Sequence, residues 1–94
     1  MNETYVSRIM DGIIAAKTSK EVKMFKNDLD EMVQGLSTTL DAIEFNMSSV
    51  LVSEKYNMSE FEELRKDHNV INITLEYIKK LYQQADTKYR KLQG

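Results

Sequence analysis

Between residues 61 and 92, apolar and ring-bearing side chains recur at steps of three and four residues without interruption, over more than four heptads. This spacing places all of them on one face of an α-helix. It predicts a long helix that packs against another helix along its whole length. The residues of this face, the seam, are Phe61, Leu64, His68, Ile71, Leu75, Ile78, Tyr82, Ala85, Tyr89 and Leu92.

A second stripe with the same spacing runs from Val22 to Val50 and has one irregular step near Gly35. The chain has 94 residues and no proline. That absence suits long helices, because each interior proline costs about 3 kcal/mol. Since the stripe continues across the irregular step, we expect one helix over 20–54 with a soft point at Gly35, and a break there is the alternative.

Two capping signals divide the chain into three helices. Thr18 to Glu21 and Ser59 to Glu62 both have the S/T-x-x-E form of a capping box. A first helix is predicted over 3–17, because Val6, Ile9, Ile13 and Ala16 follow 3-4-3 spacing. The third helix is predicted over 60–92, after a turn at residues 55–59.

These elements predict a single all-α domain over residues 1–94. Two helices of roughly 50 Å joined by a five-residue turn must lie antiparallel, as a long helical hairpin with a short N-terminal helix. The third helix also carries a second apolar row, formed by Val70, Ile73, Tyr77 and Leu81. The short helix can cover only part of it, so we expect another chain to complete a bundle. The predicted partner interface comprises Phe61, Leu64, His68, Ile71, Leu75, Ile78, Val70, Tyr77 and Leu81.

Charge and composition argue against several classes of function. Thirteen basic residues are scattered among fifteen acidic ones, which offers no footprint for nucleic acid. There is no cysteine, no apolar run long enough to span a membrane and no signal-peptide pattern. His68, the one histidine, is interpreted as a polar seam residue that sets register and not as a metal ligand. We expect no catalytic residue, cofactor, metal or small-molecule substrate, and a cytoplasmic location, with export lacking a cleaved signal peptide as the alternative.

The segment Tyr82-Gln83-Gln84-Ala85-Asp86 has the form Tyr-x-x-x-Asp near the end of a long helix. In a chain of this size it resembles the small ESAT-6/WXG100-like helical-hairpin proteins of type VII secretion. The resemblance implies an export signal in which Tyr82 and Asp86 are recognition residues on one helical face. The chain departs from the family in lacking tryptophan, so the Trp-x-Gly turn is absent.

The function predicted from the residues is therefore a non-enzymatic interaction module. It pairs with a helical protein partner or as a homodimer, in the role of a secretion-associated partner or chaperone. One alternative is a self-assembling structural subunit of a phage or secretion apparatus. Another is a small inhibitory or immunity-like regulator that acts as a monomeric bundle.

Overall fold

The computed structural model describes residues 3–53, 55 and 57–93, and within them the chain is all-α with no strand. The predicted long helical hairpin with a short N-terminal helix is confirmed. The three helices are α1 (Glu3–Ala15), α2 (Ser19–Val52) and α3 (Met58–Gln93).

The start of α2 follows the predicted capping box. The Thr18 hydroxyl accepts a hydrogen bond from the Glu21 backbone N–H at 3.2 Å, and the Glu21 carboxylate accepts one from the Lys17 N–H at 3.4 Å. The first bond satisfies a donor that the helix N-terminus leaves unpaired, and the second joins Glu21 to the residue before the cap. At its other end α2 stops at Val52, where Ser53 is extended. The predicted helix end at Glu54 lies outside the described residues.

The start of α3 corrects a prediction. The capping box at Ser59 is wrong, because Asn57 caps the helix instead. Its side-chain oxygen accepts a hydrogen bond from the Glu60 N–H at 3.1 Å, and its carbonyl accepts one from the Phe61 N–H at 3.1 Å. Asparagine is as good an N-cap as serine. The helix therefore begins at Met58, two residues earlier than predicted.

The register of the hairpin is constant. Lys26 on α2 binds Asp86 on α3 at 2.8 Å, and Glu44 binds His68 at 3.0 Å. The residue numbers add to 112 in both pairs, so α2 and α3 run antiparallel without a slip between them. Gly35 lies between the two α2 residues inside one continuous helix, as predicted.

Helix α1 docks against both long helices at the end of the hairpin away from the α2–α3 connection. Its apolar face joins a core with Val22, Leu29, Ile78, Leu81 and Ala85. The short 16–18 connection makes α1 antiparallel to α2 and hence parallel to α3.

Two features fix how closely α1 approaches. A Cβ built on Gly12 would lie 2.3 Å from Cζ of Phe25, so only glycine lets the ring of Phe25 pack directly on the α1 backbone. The Lys88 ammonium donates hydrogen bonds to the carbonyls of Ile13 (2.6 Å) and Ile14 at the α1 C-terminus. Because α1 has no basic residue in its own last turn, Lys88 supplies the cation that the helix dipole favours there.

Candidate partner-binding surface

The hairpin has two halves that differ in burial. In the covered half, residues 3–35 and 77–93, α1 lies over α2 and α3, and Leu29 and Ile78 have no exposed surface. In the open half, residues 36–76, no third helix is present among the described residues. The long helices there leave most of their facing side chains partly exposed, namely Leu36, Leu40, Ile43, Met47, Leu64, His68 and Ile71.

The groove that holds α1 continues into the open half. An α-helix repeats its direction every 18 residues, which is five turns. Phe25 and Lys88 are the groove residues that contact the C-terminal part of α1. Moving eighteen residues toward the connection, Ile43 points in the same direction on α2 as Phe25 does, and Val70 points in the same direction on α3 as Lys88 does. The constant register places those two opposite each other, as it does Phe25 and Lys88.

We define the open groove as the section whose walls are Leu36 and Ile43 on α2 and Val70 and Tyr77 on α3, with Tyr77 at its border with the covered half. Tyr77 is 46% exposed and Val70 63%. The section from Leu36 to Val50 is fifteen residues long, about 22 Å, and α1 with its thirteen residues spans about 20 Å. The open groove is therefore long enough for a second helix of the size of α1.

The structure divides the residues predicted for a partner interface into two groups. Leu75, Ile78 and Leu81 are buried inside the chain. The seam residues Phe61, Leu64, His68 and Ile71 are partly buried in the open half. Val70 and Tyr77 are the members of the predicted interface with large exposed apolar surface, together with Ile73 from the same row, which is 69% exposed.

His68 joins the two helices of the open half. Its Nε2 lies 3.0 Å from a carboxylate oxygen of Glu44, and the pair crosses from α3 to α2. This contact gives His68 a polar partner on the other long helix, and its role in setting register stays a prediction. Among the described residues no group of three or more His, Cys, Asp or Glu side chains could hold a metal ion.

Tyr82 and Asp86, the residues of the tail motif, both meet Lys26 of α2. The Lys26 ammonium binds Asp86 at 2.8 Å and lies 5.4 Å from the centroid of the Tyr82 ring and 4.6 Å from that of Tyr89. Arg90 binds the other oxygen of Asp86 at 3.1 Å. The hydrogen bond between Lys26 and Asp86 lowers the pKa of the carboxyl and raises the pKa of the ammonium. In this conformation Tyr82 and Asp86 contact α2 through Lys26. The Asp86 carboxylate is already paired with two cations, Lys26 and Arg90.

The walls of the open groove differ in charge. On the α3 side Glu63 and Asp67 are exposed, and within the described part of the chain neither forms an ion pair. On the α2 side the exposed residues beside the groove are small or uncharged, and they are Gly35, Thr39, Ala42 and Asn46. Near the connection the groove widens into a cavity of about 430 Å³ lined by Val50, Leu64, Glu60 and Lys55 among others, so one basic side chain lies at that end. The surface thus combines an apolar floor with one acidic wall.

Two contributors to this surface were not predicted. Leu36 and Ile43 belong to the α2 stripe and were assigned to packing within the hairpin. Their second role as one wall of the groove depends on the register, which the Lys26–Asp86 and Glu44–His68 pairs reveal. The sequence does contain a signal for this register. In an antiparallel pair of helices the residue numbers of facing residues add to a constant, and the pairs Lys26–Asp86 and Glu44–His68 both add to 112.

Comparison with known proteins gives no further guidance, since no family model, curated protein or solved structure matches this chain significantly. The resemblance to ESAT-6/WXG100-like proteins therefore stays a prediction. In the part of the chain that the structure describes, no helix combines the length and the apolar character that crossing a membrane requires.

Proposed function

We propose that this protein is a non-enzymatic binding module whose hairpin takes up a helix of another chain in the open groove. The observation that carries the proposal is the half-filled groove: α1 buries one section, and on the wall of the next section Val70 is 63% exposed and Tyr77 46%. Contiguous exposed apolar surface of this kind marks interaction sites in soluble proteins. Amphipathic helices commonly bind in such grooves.

The open groove supports one partner helix better than an extended self-assembling array. The open groove has two defined ends, which are the N-terminus of α1 and the α2–α3 connection. A partner helix lying there would complete, in the open half, the three-helix packing that α1 completes in the covered half. A role as a secretion partner or chaperone is a narrower form of this proposal, and it would require the Lys26 contacts of Tyr82 and Asp86 to open when an export receptor binds.

Site-specific photo-cross-linking in the cells that produce the protein tests the proposal. A photoreactive amino acid replaces Ile73, which lies on the same exposed apolar row of α3 as Val70 and Tyr77, and in a matched control replaces Asn72, which is also exposed but points about 100° away on the same helix. We expect a discrete cross-linked product from position 73 and none from position 72. A product of about 22 kDa would identify a second copy, because one chain has a mass of 11.0 kDa.

Equal cross-linking from both positions, or none from either, would contradict a partner in the open groove. A ladder of regularly spaced masses from position 73 would instead favour the self-assembling subunit. The double substitution Val70→Ser with Tyr77→Ser provides a second control, since it removes apolar surface that is already exposed and leaves the buried core intact. We expect it to abolish the product from position 73 without changing the helical content.

A further inference from the structure

The distribution of charge along the hairpin indicates what kind of helix fits the open groove. Residues 36–76 contain eight acidic and three basic side chains, a formal charge of −5, whereas the rest of the chain contains seven acidic and ten basic side chains, a charge of +3. The overall charge of −2 therefore conceals an acidic half that coincides with the open groove.

Two of these eight acidic residues, Glu63 and Asp67, lie on the groove wall formed by α3. Glu63 lies seven residues before Val70, and Asp67 lies three before it, so all three share one side of α3. Three other carboxylates of α3 form ion pairs, namely Glu62 with Arg65 at 3.1 Å, Glu76 with Lys79 at 3.8 Å and Asp86 with Lys26 and Arg90. Glu63 and Asp67 have no such partner among the described residues, and the opposite wall offers no basic side chain.

Resting on the proposed function, we propose that the occupant of the open groove is an amphipathic helix of about four turns with basic residues along one edge. Its apolar stripe packs between Ile43 and Val70, and its basic edge lies over Glu63 and Asp67. The helix lies in line with α1 and fills a section of nearly the same length. Opposite charges across the wall favour this partner and disfavour one with an acidic edge, which would meet like charges.

A pair of stapled peptides tests the inference on the full-length chain. Both have fourteen residues and the same leucines at three- and four-residue steps, and the staple holds them helical because free peptides of this length are marginal helices. One carries lysines along the edge and the other glutamates. By fluorescence anisotropy at low ionic strength, we expect the lysine peptide to bind at least tenfold more tightly, and we expect added salt to reduce the difference.

Charge-reversed variants locate the effect. The double substitution Glu63→Lys with Asp67→Lys should reverse the preference, so that the glutamate peptide binds more tightly. The matched control, Asp30→Lys with Glu31→Lys, makes the same change in net charge on exposed residues of the covered half and should leave the preference as in the parent chain. Equal binding of the two peptides, or a preference that does not respond to the groove substitutions, would overturn the inference.

The outcomes separate this inference from the function on which it rests. If both peptides bind equally and Val70→Ser with Tyr77→Ser weakens both, the groove binds helices but the basic edge is wrong. If neither peptide binds, the inference fails. The proposed function is then tested independently by whether position 73 gives a cross-linked product. If light scattering shows a dimer that the Val70→Ser, Tyr77→Ser variant loses, the occupant is a second copy and the inference is again overturned.

Discussion

The covered and open halves of the hairpin are built from the same repeating pattern, yet they differ in how completely that pattern is buried. Leu29 and Leu40 both lie on the apolar stripe of α2, eleven residues apart. Leu29 is fully buried, whereas Leu40 is only partly buried. The difference arises because two helices touch along one line and leave both sides of that line open to water, and only a third helix closes a side. An apolar stripe therefore predicts helix packing but not the depth of burial.

The largest effect expected from this contrast is on stability. Leu29→Ala should lower the free energy of unfolding by about 2–5 kcal/mol, since it removes a fully buried side chain from a core that cannot collapse freely. Leu40→Ala, in the open half, should cost about 1–2 kcal/mol, because that side chain already contacts water. Urea unfolding followed by circular dichroism measures both values. Equal losses at the two positions would mean that the open half is as well packed as the covered half.

A smaller effect distinguishes the two glycines inside helices. Gly35→Ala should stabilise the chain by about 1 kcal/mol, because no heavy atom lies within 4 Å of the new Cβ and alanine favours helix. Gly12→Ala gains the same propensity but forces the Phe25 ring away from α1, an overpacking cost of about 1–3 kcal/mol. We expect a net loss of stability at Gly12, measured by the same unfolding experiment. If Gly12→Ala stabilised as much as Gly35→Ala, close packing of Phe25 on α1 would be refuted.

The smallest effect is a pH dependence confined to the covered half. The bond with Lys26 lowers the pKa of Asp86 from 3.8 in the folded chain. The contribution of Asp86 to the free energy of unfolding is therefore fully present above about pH 3.8, and it disappears as the pH falls through the lower pKa of the folded state. The same bond raises the pKa of Lys26 from 10.5 in the folded chain. The contribution of Lys26 to the free energy of unfolding is therefore present below about pH 10.5, and it is lost as the pH rises through the higher pKa of the folded state.

Asp86→Asn should therefore flatten the acid limb of the stability–pH curve relative to the parent chain. Asp41→Asn, a matched change on the exposed surface of the open half, is the control and should leave that limb nearly unchanged. The measurement is the free energy of unfolding from about pH 2 to pH 7. An unaltered acid limb in the Asp86 variant would mean that the pair contributes nothing in solution.

The sequence predicts the helices well because their signals are local. The three- and four-residue steps identify α2 and α3, and the box at Thr18 marks the start of α2. The start of α3 is missed because Asn57 and Ser59 are both good caps, and sequence alone does not choose between them. The second apolar row of α3 is visible in the sequence as Val70, Ile73, Tyr77 and Leu81.

The candidate site is only partly predictable, because its limits depend on contacts between distant residues. Leu81 belongs to the same row as Val70 and Tyr77, but Leu81 is a core residue because α1 covers it. The residues near Leu81 in the sequence carry no information about the length or position of α1. The contact of Lys26 with Asp86 joins residues 60 positions apart that resemble ordinary surface charges in the sequence. Seam residues such as Ile78 cannot be assigned to internal or intermolecular packing until the fold is known.

The contact between Lys88 and α1 has a consequence for how the chain acquires its structure. A helix of thirteen residues is marginally stable on its own. The carbonyls at the end of α1 accept hydrogen bonds from Lys88, which lies more than seventy residues later in the chain. During synthesis α1 leaves the ribosome before either long helix, and the lysine that contacts its C-terminus is made more than seventy residues later. The contacts that hold α1 against the hairpin can therefore form only after α3 has been made.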